Sequence, residues 1–180
     1  VGGYHILWNH DNAKNYDSLL ITEGEMDAMA FVTAGVHFAT SLDSGAPNPE
    51  DRSVEKKFEC VTNSWDLVEK AGVVFIATDN DQNGKIAEKE LIRRIGAEKC
   101  RIVDFGKYKD ANEFLMYEGR DQLAGLLDKA REPKIEGVFT AQDFYHQVMD
   151  LYTNGLTKGS TTYMPTIDEA WKWRAGEVNL

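Results

Sequence analysis

At 180 residues, with 42% hydrophobic, 28% charged and 11% aromatic side chains, the chain is long enough to bury a core without disulfides or a structural metal. Its formal net charge of −10 argues against a protein whose main task is to coat nucleic acid, because phosphate contact needs a basic face; an enzyme that meets phosphates through bound metal is still allowed. The two cysteines, Cys60 and Cys100, lie far apart and outside any CxxC or Cys/His cluster, so neither a zinc site nor a disulfide framework is indicated, and a reducing, cytoplasmic-type compartment is expected.

No run of about 18 apolar residues occurs, and VGGYHILWNHDN at the start has no basic region followed by an apolar one, so neither a membrane span nor a signal peptide is expected. Residues 18–22, SLLIT, form a short apolar run ending at Glu23-Gly24. EMDAMAFVTAG follows with helix-forming residues up to Gly35, which together predicts strand, tight turn, helix. VHFATSL (36–42) is a second predicted strand, followed by the turn-rich DSGAPNPED. From Arg52 to Lys70, Val54, Phe58, Val61, Trp65 and Val68 recur at steps of three and four, which predicts one amphipathic helix closed by Gly72.

VVFIATD (73–79) is almost continuously apolar, as expected of a strand covered on both faces. GKIAEKELIRRIG then places Ala87, Leu91 and Ile95 on one helical face, with Gly96 as stop and Glu90 to Arg94 as a favourable i, i+4 pair. KCRIVDF (99–105) is a fourth predicted strand, and KDANEFLMYEG and RDQLAGLLDKA are two short helical stretches. Alternating strands and helices define the α/β class: about four strands in a mainly parallel sheet, right-handed crossovers and helices on both faces. Ligands of such sheets sit outside the carboxyl ends of the strands. That edge is where Glu23, Asp79 and Asp81 fall, with Asp110 shortly after the fourth strand.

The remainder differs in character. A helix is expected from about Thr140 to Tyr152, with Phe144, Val148 and Leu151 on one face, LTKGSTTYMPT reads as linker, and IDEAWKWRAGEVNL starts an apolar pattern that stops as if in mid-strand. The expected division is a main domain over residues 17–131 and a helical, linker-like remainder over 132–180, as in a piece cut from something longer.

One stretch, VVFIATDNDQNGKIAEKE, supports two incompatible readings. Counted from Asp79, it places Asp81, Asn83, Gly84, Ile86 and Glu90 at the spacing of a calcium-binding EF-hand loop. The context opposes this, since an EF-hand loop joins two helices and the preceding segment here has strand chemistry. In an extended segment residues i and i+2 share a side, so Asp79 and Asp81 can present carboxylates to one hard cation such as Mg²⁺ while Asn80 points away and Asn83-Gly84 make a turn. The plainer alternative is that one Asp caps the next helix and the other is solvated. Glu23 is open to the same double reading: a metal ligand or acid/base group on one hand, and on the other an acid favoured at a helix N-terminus, as Glu25 is, by about 0.3–1 kcal/mol.

Taken in order and spacing, ITEGEMDAMA, ATDNDQNGK and YKDANEFL resemble the TOPRIM domain shared by primases, topoisomerases and related nucleases. TEGE-D with KDANE is similar to the primases of phage primase-helicases and of Twinkle, and SLDSGAPN resembles the loop after the second strand in Twinkle-like members; the resemblance covers about residues 17–120. It implies Glu23 as general acid/base, Mg²⁺ (or Mn²⁺) held by Glu23, Asp79, Asp81 and Asp110, and Asp27 completing the acidic cluster. It further implies nucleotide or template phosphates at Lys85, Lys107 and Lys109, although a lysine in such a place is more often a solvated surface residue.

By the same resemblance, residues 1–16 are the end of a primase subdomain, and TTYMPTIDEAWKWRAGEVNL is the first segment of a DnaB-like helicase domain whose phosphate loop would follow. The implied activity is Mg²⁺-dependent nucleotidyl transfer that makes RNA primers on single-stranded DNA in a bacterial or phage-infected cell. Single-stranded DNA, ribonucleotides and the rest of the primase-helicase chain are the implied partners, with this piece monomeric and inactive alone and the parent hexameric. A stand-alone TOPRIM nuclease and a non-catalytic TOPRIM scaffold are the alternatives.

Overall fold

The computed structural model describes residues 4–47, 54–134, 137–155 and 159–170. The chain divides into two compact units, residues 1–135 and 136–180. In the first, a short α1 (His10–Ala13) precedes β1 (Ser18–Thr22), α2 (Glu25–Thr33) and β2 (Ala39–Ser41). Then come α3 (Val54–Lys57), α4 (Glu59–Asn63), α5 (Trp65–Lys70), β3 (Val73–Ala77), α6 (Gln82–Ile95), β4 (Cys100–Ile102), α7 (Ala111–Glu118) and α8 (Arg120–Ala124).

The four strands make one all-parallel sheet in the order β2-β1-β3-β4. Its register aligns Thr22 of β1 with both Ser41 and Ala77, so the carboxyl ends of the three strands lie level. Alternation along each strand then builds two cores. Leu19, Ile21, Val74 and Ile76 join Val61 of α4, Val68 of α5 and Ala87 and Leu91 of α6 on one side. Leu20, Ala39 and Ala77 join Phe31 of α2, Phe114 of α7 and Leu123 of α8 on the other. The near-continuous hydrophobicity of β3 is thus explained by helices on both faces. Each edge strand carries one antiparallel bridge, Trp8 to Ser41 beyond β2 and Arg131 to Ile102 beyond β4.

Three expectations need correction. The helix expected from Arg52 to Lys70 is three short helices, interrupted at Phe58 and Ser64. At the second break the Ser64 hydroxyl is buried and accepts a hydrogen bond from the Leu7 backbone N–H at 3.0 Å. The break shifts the phase of the apolar face, so Leu67 and Val68 enter the core while Trp65 stays 43% exposed. The second and fourth strands are shorter than the apolar runs that announced them, although Val36, Leu42, Val103 and Phe105 in the flanks are buried all the same. Asn83 and Gly84, expected in a turn, lie in the first turn of α6.

In the second unit, Thr140 and Asp143 form a capping box ahead of a 3₁₀ turn (Ala141–Phe144) and α9 (Tyr145–Asn154), and α10 spans Pro165–Ala170. Phe144, Val148 and Leu151, the expected apolar face, are all exposed. Of the final apolar pattern, Ile167 to Ala170 belong to α10, and residues 171–180 lie outside the described residues.

Candidate functional site

The site grows from the level carboxyl edge of the sheet. Directly after β1, the Thr22 hydroxyl lies 2.9 Å from the Gly24 carbonyl and 3.1 Å from the Thr40 carbonyl, in position to donate to them and tie the turn to β2. That turn leaves the Glu23 carboxylate partly sunk in the protein, and its Oε2 is buried with no hydrogen-bond partner. Burial, and then the negative charges of Asp79 and Asp81, push the Glu23 carboxyl up to about 7, against hydrogen bonding from the Ala46 and Asp79 backbones. A carboxyl that titrates near neutrality is suited to take up and return a proton.

Asp79, two residues beyond β3, is only 8% exposed, and its Oδ2 lies 3.0 Å from Lys109 Nζ. Burial raises its pKa even though the lysine pulls the other way. Asp81 is the N-cap of α6 and accepts a hydrogen bond from the Gly84 N–H at 2.9 Å. Gly84 is needed here for space: a Cβ would come within 2.1 Å of the Asp79 carbonyl oxygen. The α6 first turn is therefore seated directly on the Asp79 backbone.

Asn80 joins this loop to the one after β4. Its N–H donates to the Lys109 carbonyl at 2.8 Å, and its side-chain amide donates to the carbonyls of Tyr108 at 2.7 Å and Gly106 at 3.2 Å. Asn80 does point away from the acidic pair, and that direction gives it this linking role. The loop so held delivers Asp110, the N-cap of α7, which accepts from the Glu113 N–H at 2.7 Å. Glu113 answers by accepting from the Lys109 N–H at 2.6 Å. From α2, Asp27 accepts a hydrogen bond from the Asn112 N–H at 3.1 Å. Burial first, then Asp110 and Asp79, push the Asp27 carboxyl up to about 6.

The five acids form one electrostatic neighbourhood centred on Asp79: Glu23 feels Asp79 and Asp81, Asp79 feels Asp81 and Asp110, and Asp27 feels Asp110 and Asp79. Among the described residues, no three His, Cys, Asp or Glu side chains stand in metal-holding geometry. Asp81 and Asp110 each direct an oxygen at a helix N-terminus and Asp79 faces Lys109. An oxygen-only donor set with one orphaned buried oxygen and repulsion between its members nevertheless fits a hard divalent cation.

The calcium-loop reading is excluded by Glu90, which accepts from Arg93 Nη2 at 2.7 Å and Arg94 Nε at 2.7 Å in the middle of α6, eight residues into a helix that begins at Gln82. The Glu90 to Arg94 pair was expected. Of the three lysines, Lys109 faces Asp79, Lys85 pairs with Glu88 at 3.2 Å, and Lys107 Nζ lies 5.0 Å from the Tyr108 ring centroid. The linking role of Asn80 and the spatial need for Gly84 escaped the sequence reading. A glycine in an otherwise good helical run, where it is unfavourable, was the available signal for the second.

A parallel sheet of this order, with acids at the ends of β1 and β3 and after β4, defines an α/β domain that gathers carboxylates at one edge. The sequence profile described as Toprim-like matches residues 20–115, more than half of the chain, and the chain belongs to this family. It is 31% identical to the Twinkle homolog protein, chloroplastic/mitochondrial, of Arabidopsis thaliana across 97% of its own length and 27% of that protein's. It is 35% identical to the primase homolog protein of the same plant across 63% of its length and 37% of the relative's. The chain therefore spans only about a quarter to a third of the curated relatives it matches.

Two solved structures share the fold: the Aquifex aeolicus primase (zinc-binding and RNA polymerase domains; TM-score 0.55, 19% identity) and bacteriophage T7 primase domains bound to an RNA/DNA hybrid (TM-score 0.53, 22% identity). The first covers 82% of this chain and 33% of the primase, the second 65% and 56%. No helix among the described residues is long and apolar enough to cross a membrane.

Proposed function

We propose that the chain is the TOPRIM catalytic domain of a DNA primase-helicase that makes RNA primers on single-stranded DNA with Mg²⁺ (or Mn²⁺). The observation that carries this reading is Glu23: a half-sunk carboxyl with one unpartnered buried oxygen and a pKa of about 7, beside Asp79 and Asp81. Glu23, Asp79, Asp81 and Asp110 would hold the divalent ion. When bound, such an ion stabilises the charge that develops as one phosphate oxygen attacks and another leaves.

The residues of the chain supply the rest. Glu23 accepts the proton of the attacking 3′-hydroxyl as its oxygen bonds to the α-phosphorus of the incoming ribonucleotide and pyrophosphate departs. Asp27 supports the cluster from α2 and fixes the start of α7 through the Asn112 N–H. Lys109, which lies 3.0 Å from Asp79 at this edge, would contact nucleotide or template phosphates, as would Lys85 and Lys107.

In the same reading, residues 1–16 end an upstream primase subdomain, 17–131 are the TOPRIM domain and 132–180 lead into a DnaB-like helicase domain. The piece is monomeric and inactive alone, its parent is hexameric, and both work in the cytoplasm of a bacterium or phage-infected cell. A non-catalytic TOPRIM scaffold is the second reading, favoured by the cap bonds of Asp81 and Asp110 and the ion pair of Asp79.

Template-directed ribonucleotide incorporation by the full-length parent, compared with Glu23→Gln and Asp79→Asn, decides between them. Loss of primers with unwinding intact supports catalysis, and no primer synthesis by the parent in any metal supports the scaffold. Metal-dependent DNA cleavage by the chain itself would instead indicate a TOPRIM nuclease.

A further inference from the structure

The loop that Asn80 ties to the acidic edge also carries an aromatic assembly that the proposed chemistry leaves unused. Tyr108 and Tyr117 are stacked, with ring centroids 5.7 Å apart and planes inclined by 16°. Tyr108 is held from two further directions: Phe114 meets it edge-on at 5.2 Å, and its hydroxyl is hydrogen-bonded to the Glu118 carboxylate. Phe114 is itself 9% exposed and belongs to the core beneath α7. Tyr117 is therefore seated on a ring anchored in the core, yet it is 70% exposed. Lys107, exposed in the same loop, places its ammonium 5.0 Å from the Tyr108 centroid.

An exposed tyrosine on the surface of a helix normally samples several rotamers. Here Tyr117 is stacked on Tyr108 and still leaves most of its surface to solvent. A flat aromatic face beside a cation matches one repeating chemistry, a nucleobase attached to a phosphate. The position supports this occupant, because Tyr108 is two residues from Asp110 and its carbonyl is bonded to Asn80 of the acidic loop.

We propose that Tyr117, stacked on Tyr108, whose own ring lies 5.0 Å from the Lys107 ammonium, is a platform on which a base of a single-stranded nucleic acid stacks as the strand passes the acidic edge. The inference rests on the reading of that edge as a nucleic-acid-processing site. Tyr117 and Tyr108 are here binding residues and take no part in bond making.

The test is fluorescence anisotropy of a labelled single-stranded oligothymidylate of about 12 nucleotides, within the footprint of such platforms, added to the chain in EDTA. Tyr117→Ala is expected to weaken binding about tenfold, whereas Tyr117→Phe and Tyr117→Trp, which keep a π-face, remain within about twofold of the parent. Lys107→Ala is expected to weaken binding and to lower the slope of log affinity against log salt by about one. Circular dichroism of each variant should match the parent, since Tyr117 is a surface side chain.

Tyr117→Ala binding like the parent, Tyr117→Phe losing as much as Tyr117→Ala, or no binding by the parent would each overturn the platform. The reading of the acidic edge fails separately, if Asp79→Asn leaves primer synthesis by the full-length parent unchanged.

Discussion

Glu23 and Asp110 both follow a strand at the same edge of the sheet, yet the protein uses them in opposite ways. Asp110 is the cap of α7 and is satisfied by the Glu113 N–H, as Asp81 is by the Gly84 N–H on α6. Glu23 has an oxygen without a partner and a pKa of about 7. The caps stabilise the loops that frame the cluster, and Glu23 bears the electrostatic cost of its closeness. An acid that destabilises the fold where it stands calls for a ligand or reaction to explain it, whereas a capping acid does not.

The most damaging way to break this contrast is to disturb the ground on which the caps stand. Gly84→Ala drives a methyl into the Asp79 backbone and is expected to cost about 2–4 kcal/mol, read as a fall in the urea midpoint at constant slope. Next comes Glu23→Gln, with the opposite sign. Its folded pKa of about 7 exceeds the ordinary 4.5, so the folded state binds more protons and stability falls as pH rises between those values. Above that window Glu23→Gln is expected to be more stable than the parent by about 1–2 kcal/mol after allowance for solvent screening, and below it the two should converge. A parent and variant with parallel pH profiles would show that Glu23 is not strained.

Removing either cap, Asp81→Ala or Asp110→Ala, should cost about 1 kcal/mol, measured by thermal melts. Mg²⁺ should raise the melting temperature of the parent and raise it less for Asp79→Asn, by mass action on a site present only when folded. The smallest effect is expected of Glu90→Ala, about 0.5 kcal/mol, because its partners are Arg93 and Arg94 on one helical surface; Mg²⁺ stabilisation should survive it intact.

What the sequence makes legible here follows from its physics. Parallel strands buried on both faces appear as apolar runs, and the rule that sites form at their carboxyl ends puts Glu23, Asp79, Asp81 and Asp110 at one edge without knowledge of any contact. The break at Ser64 was hidden because its cause is the Leu7 backbone, 57 residues away. The dual use of Asp81 and Asp110 was foreseen only as an alternative to metal binding, since a string shows which residues lie at a strand end but not how many oxygens remain free after capping. Gly84 depends on the approach of a backbone five positions earlier, which periodicity does not encode.

The side chain of Asn80 holds two carbonyls of the neighbouring loop, and its own N–H holds a third. The spacing between the acids after β3 and β4 is thereby fixed by an amide during folding. The conformational entropy of bringing these two loops together is lost before any cation arrives, so ion binding has little left to order there. Asn80→Ala would transfer that loss to the binding step, and calorimetry should register it as a less favourable entropy of Mg²⁺ binding.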